Sequence, residues 1–141
     1  MSIMDKLKGN SIKGYDLLQL VGSGGLGEVY RAHQAVLERE VAVKIILPHH
    51  ANDPEFIRNF EAEAHLIARL EHPFIVPLYD FWRDPDGAYL VMRYYPTGNL
   101  SQVIRNSGAL DFETSARMLE QIGSALDTAH ASNIIHRDIK P

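Results

Sequence analysis

The sequence contains no cysteine, and this absence excludes both disulfide bonds and thiolate metal sites. A chain without cysteine fits a reducing compartment, so we expect a cytoplasmic location. No window approaches about 18 uninterrupted apolar residues, so no membrane-spanning segment is expected. Residues 1–10 contain no apolar run long enough for a signal peptide, and none is expected.

The sequence also lacks an excess of positive charge. Lys and Arg number 14 against 18 Asp and Glu, which gives a formal net charge of −4 at pH 7. A nucleic-acid-binding domain is normally basic, so we expect no nucleic-acid partner. Hydrophobic residues make up 45% and charged residues 23% of the chain, proportions that are typical of one ordinary globular unit.

Histidine is present seven times, but its spacing does not predict a metal site. No two histidines lie four residues apart on a predicted helix with an acidic third ligand, which is the arrangement that binds zinc. They are scattered along the chain at His33, His49, His50, His65, His72, His130 and His136.

A glycine-rich segment, residues 22–30, carries the pattern Gly-x-Gly-x-x-Gly, whose backbone can approach phosphate groups closely. The main alternative is the dinucleotide-binding turn of a Rossmann fold. That turn needs a following helix and an acidic residue about 20 positions on, and Glu38 and Glu40 lie near that spacing. The alternation at 28–33 and the β-branched run at 41–47 instead predict that strands, and not a helix, follow the turn. These flanks favour a hairpin laid over a ligand, and the segment lacks the Gly-Lys-Ser/Thr ending of a P-loop.

Lys44 lies in the middle of the predicted strand at 41–47, where a charge is costly unless it is paired or bound to a ligand. It is either a lysine that extends from an edge strand to solvent or a residue that holds an anion.

The next helix supplies a candidate partner for this lysine. Asp53 as N-cap and Pro54 in the first turn predict a helix that ends near Glu71, shortly before a proline. Glu63 lies beside the apolar stripe of this helix, whereas Glu61 points more toward solvent. We therefore predict that Glu63 pairs with Lys44.

Two further strands are predicted at 74–82 and 88–95, joined by the turn sequence Asp-Pro-Asp-Gly. Asn99 begins a short helix, and a longer one is predicted over about Asp111–Ala131. The longer helix would bury an apolar stripe, which consists of Leu119, Ile122, Leu126 and Ala129.

The segment from His136 to Pro141 places Asp138 two residues before Lys140. Such a carboxylate can accept a hydroxyl proton, and such an ammonium group can meet the charge that develops on a transferred phosphoryl group. Taken alone, the segment would equally fit a loop with a surface ion pair. The glycine-rich hairpin and the Val-Ala-Val-Lys sequence ending at Lys44 precede it in order, and they favour phosphoryl transfer.

These three motifs together resemble the protein kinase catalytic domain, and the resemblance covers about Tyr15 to Pro141. The glycine-rich stretch and the Ala-His-Ala-Ser-Asn sequence near the end are similar to bacterial-type (eukaryotic-like) serine/threonine kinases. The implied fold is α+β, with an antiparallel five-stranded N-lobe sheet, helix C and the first helices of a truncated helical C-lobe. The implied divisions are a tail at 1–14, the N-lobe and hinge at 15–95, and the start of the C-lobe at 96–141.

The resemblance also implies roles for single residues. Asp138 is expected to be the catalytic base, and Lys140 is expected to approach the γ-phosphate and favours Ser or Thr over Tyr as the acceptor. Lys44, held by Glu63, is expected to position the ATP phosphates. The residues of the turn expected to contact phosphates are Gly22, Ser23, Gly24, Gly25, Leu26 and Gly27.

The strand at 88–95 would lead into a hinge that binds adenine. Met92 falls at the position that gates the back of the adenine pocket, and Arg93 and Tyr95 would offer backbone C=O and N–H groups to the base. The family often has Glu where this chain has Arg93, but a backbone contact does not depend on that side chain. Asn99 would lie at the ribose, although a simple N-cap role is equally open. The apolar roof over the base would consist of Val21, Val29 and Ala42.

The family also requires an Asn shortly after the Lys-Pro pair and a metal-binding Asp-Phe-Gly, and neither occurs in the 141 residues. ATP and Mg²⁺ are the implied cofactors, with the metal ligands expected beyond Pro141, and the implied partner is a protein substrate carrying Ser or Thr. The leading interpretation is an ATP-dependent protein serine/threonine kinase whose truncated catalytic domain is inactive alone. The alternative is a non-catalytic kinase-fold module that binds a nucleotide or a partner.

The truncation has a further implied consequence. In the family fold, the stripe of the long helix packs against later segments, so part of it should be exposed here. This exposure predicts self-association, chaperone binding or fraying beyond about Asn99.

Overall fold

The computed structural model describes residues 11–141 and divides into two compact units. Unit 1 contains the described residues up to Ala68 together with Pro77–Tyr94, and unit 2 contains Arg69–Val76 and Tyr95–Pro141. The first ten residues of the predicted tail lie outside the described residues. Its last four belong to a two-residue strand and a turn that join the sheet of unit 1.

Unit 1 is built on a six-stranded antiparallel sheet in the order β1-β2-β3-β4-β6-β5. The five expected strands are present, and a two-residue strand precedes them. The last hairpin is shorter than predicted, because Pro77 has no N–H for a sheet ladder and the residues before it belong to unit 2. The strands are β1 (Ser11–Ile12), β2 (Tyr15–Ser23), β3 (Gly27–Gln34), β4 (Arg39–Ile46), β5 (Leu78–Asp84) and β6 (Gly87–Arg93).

One face of the sheet carries the main core. Tyr30, Val43 and Val91 lie opposite one another on three adjacent strands and are completely buried. Residues directly opposite in an antiparallel sheet share a face, so the β-branched and aromatic positions of these strands collect on one side.

Aromatic side chains connect distant strands of the same sheet. The Tyr15 ring on β2 is stacked on Trp82 of β5 with centroids 6.0 Å apart, and Trp82 is stacked on Tyr89 at 4.7 Å. The Tyr15 hydroxyl also donates to Asp80 Oδ2 at 3.2 Å. Side chains therefore join β2, the second strand in the sheet order, to β5, the last.

Two helices, α1 (Pro48–Ala51) and α2 (Pro54–Ala68), pack on part of the other face of the sheet. Phe60 and Ala64 are the buried residues of α2, and Phe60 belongs to a cluster with Ile46 and Ala88. The predicted N-cap is confirmed, because Asp53 Oδ1 accepts the N–H groups of Glu55 at 2.9 Å and Phe56 at 3.0 Å.

The C-terminal end of α2 differs from the prediction. The helix ends at Ala68 rather than near Glu71, because the chain then leaves it for unit 2. There His72 lies with its Nε2 2.9 Å from the Ser124 hydroxyl.

Unit 2 contains α3 (Leu100–Ser107) and α4 (Phe112–Ala131). Asn99 caps α3 with a full capping box that includes Gln102, and Asp111 caps α4 by accepting the Thr114 N–H at 2.7 Å. This backbone hydrogen bond, together with the Thr114 hydroxyl, lowers the pKa of Asp111 below its ordinary value. Both helix starts agree with the prediction.

The apolar stripe of α4 is only partly buried by the described residues. Ala129 is buried and Leu126 is half-buried, but Leu119 is 70% exposed and Ile122 is 40% exposed. Burial of the whole stripe is therefore not seen, and the part toward the start of the helix remains open. Among the helices of residues 11–141, none has the length and hydrophobicity needed to span a membrane.

Candidate active site

The glycine-rich segment folds as a tight turn between β2 and β3. The N–H of Gly24 donates to the Gly27 carbonyl at 2.9 Å, and the N–H of Gly27 donates to the Gly24 carbonyl at 3.3 Å. A strand follows the glycines instead of a helix, which confirms the hairpin over the Rossmann alternative. A Cβ added at Gly24 or Gly25 would meet no atom within 4 Å, so a ligand can approach this backbone closely.

Gly27 has a packing role that was not predicted. A Cβ at this position would overlap the backbone carbonyl of Ile45 on the neighbouring strand. The third glycine of the pattern is therefore required for the close approach of β3 and β4, in addition to any contact with a ligand. The sequence pattern does not reveal this requirement, because it depends on the register between the two strands.

Lys44 lies on the same face of the sheet as the residues predicted to form the apolar roof over the base. It is opposite Val29 on β3 and Leu90 on β6, while Ala42 is opposite Met92. Alternate residues on one strand share a face, so Val29, Ala42, Lys44 and Met92 lie on the same side of the sheet. Ala42 is buried, and the other three are half-buried. Val21 is exposed on β2, next to the Gly22–Val29 pair.

The predicted ion pair between Lys44 and Glu63 is not formed. Within residues 11–141, the ion pairs shorter than 4.0 Å join Arg31 to Glu40 and Asp138 to Lys140. Glu63 is exposed, one residue before the buried Ala64 of α2, so its position at the border of the apolar stripe agrees with the sequence analysis. The functional pairing remains a prediction.

One of the backbone groups predicted to contact adenine already forms a hydrogen bond within the protein. The N–H of Arg93 donates to the Pro77 carbonyl at 3.1 Å, and its guanidinium Nε donates to the Tyr79 hydroxyl at 3.2 Å. The N–H of Arg93 is therefore engaged within unit 1. Tyr95 is 46% exposed at the start of a stretch of unit 2.

In unit 2, the predicted catalytic loop is organised around its acidic residue. Lys140 Nζ lies 2.9 Å from Asp138 Oδ2, and the N–H of Asp138 donates to His136 Nδ1 at 3.2 Å. Arg137 between them has a φ of 62°, in the left-handed region that non-glycine residues rarely adopt. The loop therefore holds the carboxylate and the ammonium group together by local contacts.

Residues of this loop line a groove of 580 Å³ in unit 2. Asn99 lines it as well as capping α3, so the structure supports the N-cap role and leaves the ribose contact as a prediction. Phe74 and three residues of α4 were not predicted here, because they belong to no motif and only the tertiary fold brings them near the loop. The lining residues are Phe74, Asn99, Leu100, Met118, Gln121, Ile122, His136, Asp138, Ile139, Lys140 and Pro141.

Comparison with known proteins agrees with this arrangement. Residues 15–141 match the family described as "Protein kinase domain". The chain is 43% identical over 136 residues to the serine/threonine-protein kinase PrkC of Bacillus subtilis, covering 96% of this chain and 21% of PrkC. It is 41% identical over 132 residues to the serine/threonine-protein kinase PknA of Mycobacterium tuberculosis, covering 90% of this chain and 31% of PknA.

Solved structures show the same fold. The kinase domain of Mycobacterium tuberculosis PknI matches with a TM-score of 0.84 and 28% identity, covering 94% of this chain and 54% of that domain. The chain thus spans about half of a solved kinase domain and about a fifth of the length of PrkC. The family match over nearly all of its residues and the identity to bacterial serine/threonine kinases show that the chain belongs to the protein kinase family, as the N-terminal part of a catalytic domain.

Proposed function

We propose that the chain supplies the ATP-binding part and the catalytic loop of a protein serine/threonine kinase. The observation that carries the proposal is the shared face of Val29, Ala42, Lys44 and Met92, next to an open glycine turn. A nucleotide needs apolar surface for its base, a cation for its phosphates and backbone N–H groups that can be approached closely. This part of unit 1 offers all three.

The residues proposed to carry out the phosphoryl transfer lie in unit 2. The Asp138 carboxylate would accept the proton of a substrate Ser or Thr hydroxyl while the hydroxyl oxygen forms a bond to the γ-phosphorus of ATP. The bond between that phosphorus and the bridging oxygen breaks, and ADP leaves. Lys140, which lies 2.9 Å from Asp138, would stabilise the negative charge on the transferred phosphoryl group.

The family implies a divalent cation, and residues 11–141 form no ready cluster of ligands for it. No group of three His, Cys, Asp or Glu side chains in this part of the chain lies close enough to share a metal ion. The proposal therefore assigns the Mg²⁺ ligands to residues other than these. We also expect that the 141 residues alone do not transfer phosphate, since Lys44 and Lys140 do not replace the charge that the metal would supply.

The proposed substrate is a cytoplasmic protein with an accessible Ser or Thr, because ATP is the phosphate donor. The proposal can be tested by joining residues 1–141 to the segment that follows in the PrkC kinase domain. We expect this chimera to phosphorylate itself or a generic protein with labelled ATP, and its Asp138→Asn variant to be inactive. A folded chimera that binds ATP but transfers nothing would instead favour the non-catalytic module.

A further inference from the structure

Two hydrogen bonds attach the glycine turn to helix α1 and to Leu47, the residue before it. His50 Nε2 lies 3.0 Å from the carbonyl oxygen of Gly25, and the N–H of Leu47 donates to the carbonyl of Leu26 at 3.1 Å. A carbonyl oxygen only accepts, so the Nε2 of His50 carries the hydrogen and donates it. A side chain outside the hairpin therefore holds one peptide group of the turn.

The carbonyl groups of the turn are all used inside unit 1. Those of Gly24 and Gly27 accept each other's N–H groups, and those of Gly25 and Leu26 accept from α1 and from Leu47 before it. The hydrogen bonds found among residues 11–141 include none donated by the N–H groups of Gly25 and Leu26. A turn with engaged carbonyls and available N–H groups presents donors to its surroundings, as an anion site requires.

The hydrogen bond between His50 and the Gly25 carbonyl also fixes the direction of the next N–H group, that of Leu26. In a trans peptide, the C=O of one residue and the N–H of the following residue point in opposite directions. Holding the Gly25 carbonyl toward His50 therefore directs the Leu26 N–H away from it. A Cβ at Gly25 would meet no atom within 4 Å, so packing does not restrain this peptide group, and glycine permits many orientations of it.

We propose that His50 is a positioning residue for the nucleotide phosphates, because it orients the Leu26 N–H through the Gly25 carbonyl. This inference rests on the proposed nucleotide site and adds a residue that lies outside the glycine motif. His50 is half-buried, and its ring is 4.0 Å from that of the exposed His49. The neighbouring histidine therefore provides a matched control that shares the helix and the ring type but lacks the contact with Gly25.

The first measurement is ¹⁵N relaxation of the 141-residue chain without nucleotide. We expect the order parameter of the Leu26 N–H to be near the rigid value of about 0.85 in the wild type, and below about 0.6 in His50→Ala. His50→Gln should remain rigid, because a glutamine amide has similar reach and can donate to the same carbonyl. His49→Ala should also remain rigid.

The second measurement is the affinity for ATP and for adenosine, by calorimetry. His50→Ala should weaken ATP binding about 2- to 12-fold, the effect of losing one hydrogen bond, and leave adenosine binding unchanged. His50→Gln should restore the preference for ATP. This split separates phosphate positioning from a general loss of structure, which would weaken both ligands together.

Three results would overturn the inference while leaving the proposed function intact: an unchanged preference for ATP in His50→Ala, an equal loss of ATP and adenosine binding, or a His50→Gln variant that behaves like His50→Ala. A wild-type chain that binds neither ligand would overturn the proposed function and the phosphate role together.

Discussion

Gly27 on β3 packs so closely on the backbone carbonyl of Ile45 on β4 that no side chain can be placed between them. We expect Gly27→Ala to destabilise unit 1 by about 1–3 kcal/mol, because the strands must separate to admit the methyl group. Urea unfolding followed by the fluorescence of Trp82, the single tryptophan, would measure this change.

Gly24→Ala is the control for this prediction. A Cβ there would meet no atom within 4 Å, and Gly24 is not among the positive-φ residues, so the stability should change by less than about 0.5 kcal/mol. Equal destabilisation by the two substitutions would contradict the packing role of Gly27.

Lys44→Met should weaken ATP binding and abolish phosphoryl transfer in a completed domain, with the fold retained. The substitution keeps an unbranched chain beside Val29 and removes only the charge that we propose to face the phosphates. Lys13→Met is a suitable control, since Lys13 Nζ lies 4.8 Å from the centre of the Trp82 ring and takes no part in the proposed site. Calorimetry with ATP and a labelled-phosphate assay would measure both effects, and equal transfer rates would remove Lys44 from its proposed role.

Glu63→Gln should reduce phosphoryl transfer in the same direction but more mildly, since an amide can still hydrogen-bond to Lys44. Because the two side chains are not paired here, we expect the free energy of unfolding of the 141-residue chain to be unaffected. A clear loss of stability would mean that Glu63 has a structural role in unit 1.

Tyr89 should make unit 1 sensitive to alkaline pH. Burial, with Asp84 and Asp86 nearby, raises the pKa of Tyr89 from 10 to about 12. The folded state then favours the neutral phenol, so this contribution to stability is complete below pH 10 and is lost as the pH rises through 12. A shift of this size corresponds to at most about 2.7 kcal/mol.

Urea unfolding at pH 9 and pH 11.5, followed by circular dichroism, would check this prediction. Tyr89→Phe should lose less stability between the two pH values than the wild type. Some dependence should remain, because burial also raises the pKa of Tyr15. An identical pH dependence in the variant would show that Tyr89 does not control it.

Helix α4 should exchange its amide hydrogens faster than the central sheet. It carries Leu119 at 70% exposure and Ile122 at 40% exposure, whereas Val41, Val43 and Ile45 of β4 are buried. Hydrogen exchange and sedimentation would report local opening and self-association, and Leu119→Lys should reduce any association. A monomer in which α4 is as protected as β4 would contradict the prediction.

Local signals in the sequence predicted the elements well. Asp53, Asn99 and Asp111 each accept an N–H of their own helix, so a few neighbouring residues determine these starts. The hairpin around the glycines was likewise predicted, because strand periodicity after them excluded a following helix.

Positions that depend on distant packing were not predicted. The end of α2 at Ala68 is set by the segment that joins unit 2, where His72 contacts Ser124. The requirement for Gly27 arises from strand register, and the contact of His50 with Gly25 comes from a turn 25 residues away. No periodicity or short motif records such relationships.

The stacking of Tyr15 on Trp82 has a consequence for synthesis of the chain. Trp82 follows Tyr15 by 67 positions, so at about 5–20 residues per second it is made roughly 3–13 s later. During that interval, the Tyr15 ring lacks its stacking partner. The nascent chain therefore exposes this ring to chaperones until Trp82 on β5 has been made.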